Sequence, residues 1–235
     1  IGANGVGGQG TMWWQNGALS FDGVKLFVAN GLADNRAMAA QKSNLFFGTG
    51  LLSDHNEVKV IDNNIYFYCP VDNDTILQLT SHIRELTKKN LILGITYNID
   101  PPDINLYINS EGGCVYSSLS ILDIIINNKV KINSIITGVC MSAATLISMV
   151  CHNRYISSHG FMLIHNMSIG GFWGKMHEFE DEMKNMTQLT KKLKDIYKNY
   201  GKINKIQLDS LLKKDLLLNS SVAKKYGFID EIKLI

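Results

Sequence analysis

Between Asn64 and Ile164, short β-branched and aromatic runs alternate with stretches of helical periodicity, and this alternation restricts the available folds more than any other feature of the chain. Residues 64–69, 104–109, 132–136 and 161–164 read as strands; residues 75–88, 119–127 and 142–149 read as the helices between them. In the first helix Ile76, Leu77, Leu79, Ile83 and Leu86 recur at helical spacing, with Asp74 placed as its cap, while Pro70 and Pro101-Pro102 interrupt the chain near element ends. Such repeats give right-handed βαβ units, hence an α/β fold with a mostly parallel sheet and ligand sites at the C-terminal ends of its strands. Asn109-Ser110-Glu111-Gly112-Gly113, Ser142 and His165 all fall at such ends.

Thr137-Gly138-Val139-Cys140-Met141-Ser142-Ala143-Ala144-Thr145 carries the third run into a helix of small residues, and Phe161-Met162-Leu163-Ile164-His165 closes the fourth. A serine at a sharp strand-to-helix turn presents its hydroxyl at a helix N-terminus, and a histidine ending a strand of the same sheet can serve as its general base. A helix-start serine also commonly caps backbone N–H groups, and a strand-end histidine is often a hydrogen-bonded structural residue; both readings stand beside the catalytic one. His152, His159 and His177 have no spacing that suits a metal, so neither metal nor cofactor is expected. Asp62, Asp72, Asp74 and Asp103 read as cap and turn residues.

With 235 residues, 46% of them hydrophobic, the chain can fill a sizeable core as one large domain or a domain with an appendage. The formal charge of +2, from 23 basic and 21 acidic residues spread along the chain, provides no basic stripe, which excludes nucleic acid and membrane surfaces as expected partners. The longest apolar run, residues 138–151, is the length of a buried core helix and too short to span a bilayer. Cys69, Cys114, Cys140 and Cys151 sit in apolar runs without ligand spacing and are expected to be small buried thiols, which suits a reducing compartment. The first basic residue is Lys25, so no secretory signal is expected; the expected location is the cytoplasm, that of the host if the chain is viral.

Residues 1–57 read as a Gly-rich N-terminal extension and residues 58–235 as the main domain; 10 of the 20 glycines lie in the first fifty positions. Residues 1–10 are expected to be loosely held, 21–28 to form a strand, 32–41 a short helix and 45–47 an apolar anchor. Near the other end, Met176, Phe179, Met183, Met186, Leu189, Leu193, Ile196 and Tyr200 make an apolar stripe along a helix roughly 35 Å long. A stripe of that length packs on its own domain or on a second copy. The tail from residue 208 reads as a short helix, Asp215, a helix over 220–226 and a strand over 228–230.

Four motifs in order carry a resemblance: Tyr107-Ile108-Asn109-Ser110-Glu111-Gly112-Gly113; Gly138 followed by Ser142-Ala143-Ala144; Met162-Leu163-Ile164-His165-Asn166; and Lys214-Asp215 ahead of Ala223 and Tyr226-Gly227-Phe228-Ile229-Asp230. Together they resemble the Clp protease proteolytic subunit family over residues 63–235. The resemblance implies the spiral of βαβ units shared by Clp proteases and crotonases, with residues 176–200 as its protruding handle helix and 170–174 as the flexible lead-in. It implies a Ser-His-Asp peptidase with Ser142 as nucleophile, His165 as general base and Asp215 as the residue orienting the imidazole, roles that suit those side chains. It makes Gly113 and Ala143 the backbone donors of the oxyanion hole, and Gly112 and Asn166 substrate-binding residues. Peptide or unfolded-protein substrates, ATP-independent peptide cleavage, a homo-oligomeric ring and an AAA+ unfoldase partner are further implications. Departures are Met141-Ser142-Ala143, where alanine-serine-methionine is usual, and Met167, where a proline commonly stands. The first departure is closer to phage head-maturation relatives, and residues 23–36 and 44–51 resemble the C-terminal part of tailed-phage major capsid proteins. The N-terminal region does not match the axial loops by which the family meets its unfoldase. The other readings are an inactive structural or regulatory ring subunit, a phage head-maturation protease, and an acyl-CoA-handling crotonase relative.

Overall fold

The structure, a computed structural model, describes residues 12–15, 18–21, 24–27, 57–167 and 175–234. The chain divides into two units. The described part of the first is an antiparallel meander of β1 (Met12–Gln15), β2 (Ala18–Phe21) and β3 (Val24–Phe27), with Phe21 opposite both Met12 and Val24. The single strand expected over 21–28 is therefore corrected to the end of one strand and the whole of another. The expectations for residues 1–10, 32–41 and 45–47 lie outside the described residues.

In the second unit the β-branched runs form strands because alternate side chains reach the core. In β6 (Ile104–Ser110), Ile104, Leu106, Ile108 and Ser110 are buried while the residues between them are not. The sheet runs β10 (Leu218–Asn219), β9 (Phe161–Leu163), β7 (Ile132–Met141), β6, β5 (Asn64–Phe67), β4 (Lys59–Ile61), with β8 (Asn153–Ser157) joining β7 to β11 (Glu231–Lys233). Its inner pairs are parallel, and β4 and β10 pair antiparallel at the edges. This is the expected α/β fold. Ile65, Phe67, Leu79, Ile83, Ile104 and Leu106 are fully buried, each contributing about 2 kcal/mol of apolar burial. A ladder of amides adds register: Asn105 donates to Asn64, Asn133 to Asn105 and Asn153 to Asn133, from four neighbouring parallel strands.

Six helices lie among the described residues of this unit: α1 (Asn73–Tyr97), α2 (Val115–Ile126), α3 (Ala143–Met149), α4 (Met176–Tyr200), α5 (Lys205–Leu212) and α6 (Ser220–Lys225). The cap of α1 is Asp72 and not Asp74: the Thr75 N–H donates to Asp72 Oδ1 at 2.8 Å, and Asp74 sits in the first turn. α1 also runs on past Lys88, because Asn90, a weak helix former, is buried with its amide donating to the Pro102 carbonyl. Asn204 and Gln207 cap each other at the start of α5, which begins before the expected position 208. The final strand is β11, one step beyond the expected 228–230, since Phe228 and Ile229 are buried in the core and Asp230 clamps Arg154 through both carboxylate oxygens. Strands β4, β8 and β10 were not expected; all are short, and β8 carries polar residues.

Every residue of α3 is buried, as a core helix requires, and no described helix is long and apolar enough to cross a membrane. α4 has the expected bounds. Its only buried residues are Ile196 and Tyr197, at its base, while Met176, Phe179 and Met183 are exposed, Met176 to 74%.

Candidate active site

β7 is the element that builds the site. Its first half pairs with β8, from Asn133 opposite Asn153 to Ile136 opposite Ile156, and its second half with β9, from Val139 opposite Phe161 to Met141 opposite Leu163. That exchange of neighbours brings Ser142, one residue past Met141, beside the chain leading from Leu163 to His165. The Ser142 N–H donates to the Leu163 carbonyl at 2.8 Å. Asn109 Oδ1 accepts from the Val139 N–H where the β6–β7 register shifts.

Ser142 has φ 50° and ψ −123°, a left-handed backbone uncommon for a residue with a Cβ, and its side chain makes no hydrogen bond to the helix it precedes. The capping reading is therefore removed: the Ser142 hydroxyl makes none of the cap hydrogen bonds it requires. Ser142 and His165 line one cavity, with Ala143, Leu146, Asn166 and Met167 among its walls. His165 is only partly exposed, at 27%; its Nδ1 lies 3.5 Å from Oδ1 of Asp215, which is 77% exposed. The Asn166 N–H donates to the Leu212 carbonyl at 2.9 Å, tying the end of α5 to the histidine strand and bringing Asp215 within reach. No hydrogen bond joins Ser142 Oγ to His165 in this structure.

Opposite the serine, Gly112 and Gly113 have φ of 93° and 148°, backbone that favours glycine. The Val71 N–H donates to Gly112 O, and the Cys114 N–H donates to Val71 O, so the ladder engages both neighbours of the Gly113 N–H and leaves that group out. Ala143 opens α3, where an N–H has no intrahelical acceptor. Among the described residues no group of three or more His, Cys, Asp or Glu side chains could hold a metal, and His152 Nδ1 instead accepts from the Ile132 N–H.

Residues 62–234 match the family model for Clp protease. The chain belongs to the Clp protease family. Two relatives, each named ATP-dependent Clp protease proteolytic subunit and from two strains of Bacteroides fragilis, are 31% identical to it over 166 residues, which is 68% of this chain and 79% and 74% of theirs.

Two features of this Clp protease family chain have no signal in its sequence. Ser110 sends its hydroxyl to the Cys69 carbonyl and accepts the Gly112 N–H, which props up the glycine loop. Thr145 and Tyr197 meet by a buried hydroxyl–hydroxyl bond at 2.6 Å. The Ser110–Cys69 and Thr145–Tyr197 contacts join positions 41 and 52 residues apart, so no spacing rule could have found them. The thiols also differ from expectation: Cys69, Cys140 and Cys151 are buried, but Cys114, next to Gly113, is exposed as the N-cap of α2. What burial Cys114 has raises its pKa, but the polar groups of Ser117 and the Tyr116 backbone beside it outweigh that and bring the thiol below its ordinary value. Burial pushes the Cys69 and Cys151 thiols up to about 12. Since the thiolate is the reactive form, iodoacetamide at neutral pH is expected to alkylate the native protein first at Cys114. Peptide mapping checks this; alkylation of Cys69 or Cys151 at the same rate would contradict the ranking.

Proposed function

We propose that this chain is a Clp-type serine endopeptidase whose peptidase domain spans residues 58–235. The observation that carries the reading is a serine held at φ 50°, free of any capping bond, in one cavity with a histidine whose Nδ1 faces an aspartate. Ser142 Oγ attacks the peptide carbonyl carbon as His165 Nε2 takes its proton, and Asp215 holds the imidazole by Nδ1 and stabilises its charged form. The carbonyl oxygen, now negative, accepts hydrogen bonds from the Gly113 and Ala143 N–H groups. Collapse breaks the C–N bond, the amine leaves with the proton from His165, and water then releases the acyl group from Ser142. Gly112 and Asn166 line the path of the substrate backbone. The serine–histidine hydrogen bond forms as substrate enters, since such contacts are often long or misaligned in a free enzyme.

The exposed Met176 and Met183 of α4 support assembly into a homo-oligomeric ring through this helix, as apolar side chains standing in solvent along a long helix favour burial against a second copy. The relatives' name, an ATP-dependent proteolytic subunit, supports an AAA+ unfoldase as the source of nucleotide dependence; the bond cleavage itself needs no nucleotide. The purified chain is therefore expected to release fluorophore from short peptide substrates without ATP. A second reading, a ring subunit without turnover, is favoured by the missing Ser142–His165 bond, and an assembled but inert ring in the same assay would establish it over the first.

A further inference from the structure

The Ser142 carbonyl accepts two hydrogen bonds from one residue: the Thr145 N–H at 3.0 Å and the Thr145 hydroxyl at 2.6 Å. A threonine hydroxyl has one proton. With that proton on the Ser142 carbonyl, the bond of 2.6 Å between Thr145 Oγ1 and Tyr197 Oη must be donated by the tyrosine. The order is thus Tyr197 O–H to Thr145 Oγ1, and Thr145 O–H to Ser142 O. Thr145 is fully buried and Tyr197 nearly so, and burial drives the phenol pKa upward, which keeps it a neutral donor. Buried hydroxyl chains of this kind are strengthened by the low surrounding dielectric.

The Ser142 carbonyl and the Ala143 N–H belong to one planar peptide and point to opposite sides of it. Fixing the oxygen therefore fixes the direction of the N–H. Ser142 is in a strained conformation, so this peptide needs an anchor to hold its orientation. We propose that Thr145 and Tyr197 are positioning residues that aim the Ala143 N–H at the oxyanion, anchoring the nucleophile turn to the base of α4. The role rests on the peptidase reading above. It makes Tyr197 a contributor to turnover although it makes no hydrogen bond to Ser142 or His165.

The test compares the parent with Tyr197→Phe, Thr145→Val, their double variant and Thr145→Ser. Turnover of a fluorogenic peptide and affinity for a peptide aldehyde, whose hemiacetal carries the oxyanion, are measured per folded chain. Loss of an oxyanion donor costs about 100-fold or more in kcat, so a misaimed donor is expected to cost about tenfold. That loss should fall in kcat with KM unchanged, be matched in aldehyde affinity, and be no larger in the double variant than in either single one. Thr145→Ser, which keeps the hydroxyl, should restore the rate. The two Thr145 variants test the relay from its other end if Tyr197→Phe folds poorly. Variants that lose thermal stability but keep the parent's kcat and aldehyde affinity would overturn the positioning role. A parent that neither cleaves the peptide nor binds the aldehyde would overturn the peptidase reading itself, and the two failures are distinct.

Discussion

Ser142→Ala is expected to lower kcat/KM for peptide hydrolysis by about 10⁴-fold or more, because a triad without its nucleophile retains only what binding and the oxyanion hole supply. The substitution is clean in this site. Alanine and serine meet the same backbone strain at φ 50°, and the hydroxyl makes no cap hydrogen bond whose loss would leave a donor unsatisfied. Stability should change by no more than about 0.5 kcal/mol. Thermal melting should therefore match the parent while turnover vanishes. Turnover equal to the parent's would remove Ser142 from the mechanism, and an acyl-CoA-handling relative, which needs no Ser-His-Asp set, would predict that result.

Gly112→Ala has the second-largest expected effect, and it acts through shape. A Cβ on Gly112 would lie 2.5 Å from the Met141 carbonyl oxygen, 2.9 Å from Ser142 Cβ and 3.1 Å from the Ala143 nitrogen. All three neighbours belong to the turn that carries the nucleophile, and two are backbone atoms that cannot swing aside. With φ at 93°, the residue would also adopt a conformation that side chains rarely take. The strain should cost about 1–3 kcal/mol of stability. Displacing the turn should cost about 100-fold in turnover, the scale of a 1 Å misplacement of reacting groups. Denaturant unfolding and peptide turnover measure both; a variant as active as the parent would show that the glycine loop does not abut the reacting groups.

The fold was largely legible because its signal is local. Alternating burial in Ile104, Leu106 and Ile108 is written into adjacent residues, and so is the stripe that sets the bounds of α4. What failed was either weak in propensity or distant in sequence. Residues 89–97 contain Asn90 and Gly94, and only packing against the chain near Pro102 makes them helical. Cys114 looked like a buried thiol because the run around it is apolar, yet its role as a helix cap turns it outward.

For the candidate site, Ser142 and His165 stood out at strand ends and the family resemblance added Asp215 and the glycines; the strand pairing puts Ser142 beside the chain that leads to His165. Nothing in the spacing of Ser142 and His165 reveals that β7 changes neighbours halfway along, from β8 to β9. The Asn166–Leu212 hydrogen bond that brings Asp215 to the histidine is likewise a contact between distant segments. The Tyr197–Thr145 relay spans 52 positions and has no local signature at all.

The central claim, that Ser142 is a nucleophile activated by His165, is tested most directly by covalent labelling with a fluorophosphonate. Intact mass and peptide mapping are expected to show one adduct per chain, on Ser142, formed by the parent and lost in His165→Ala. An unlabelled parent, an adduct on another residue, or equal labelling of His165→Ala would contradict it.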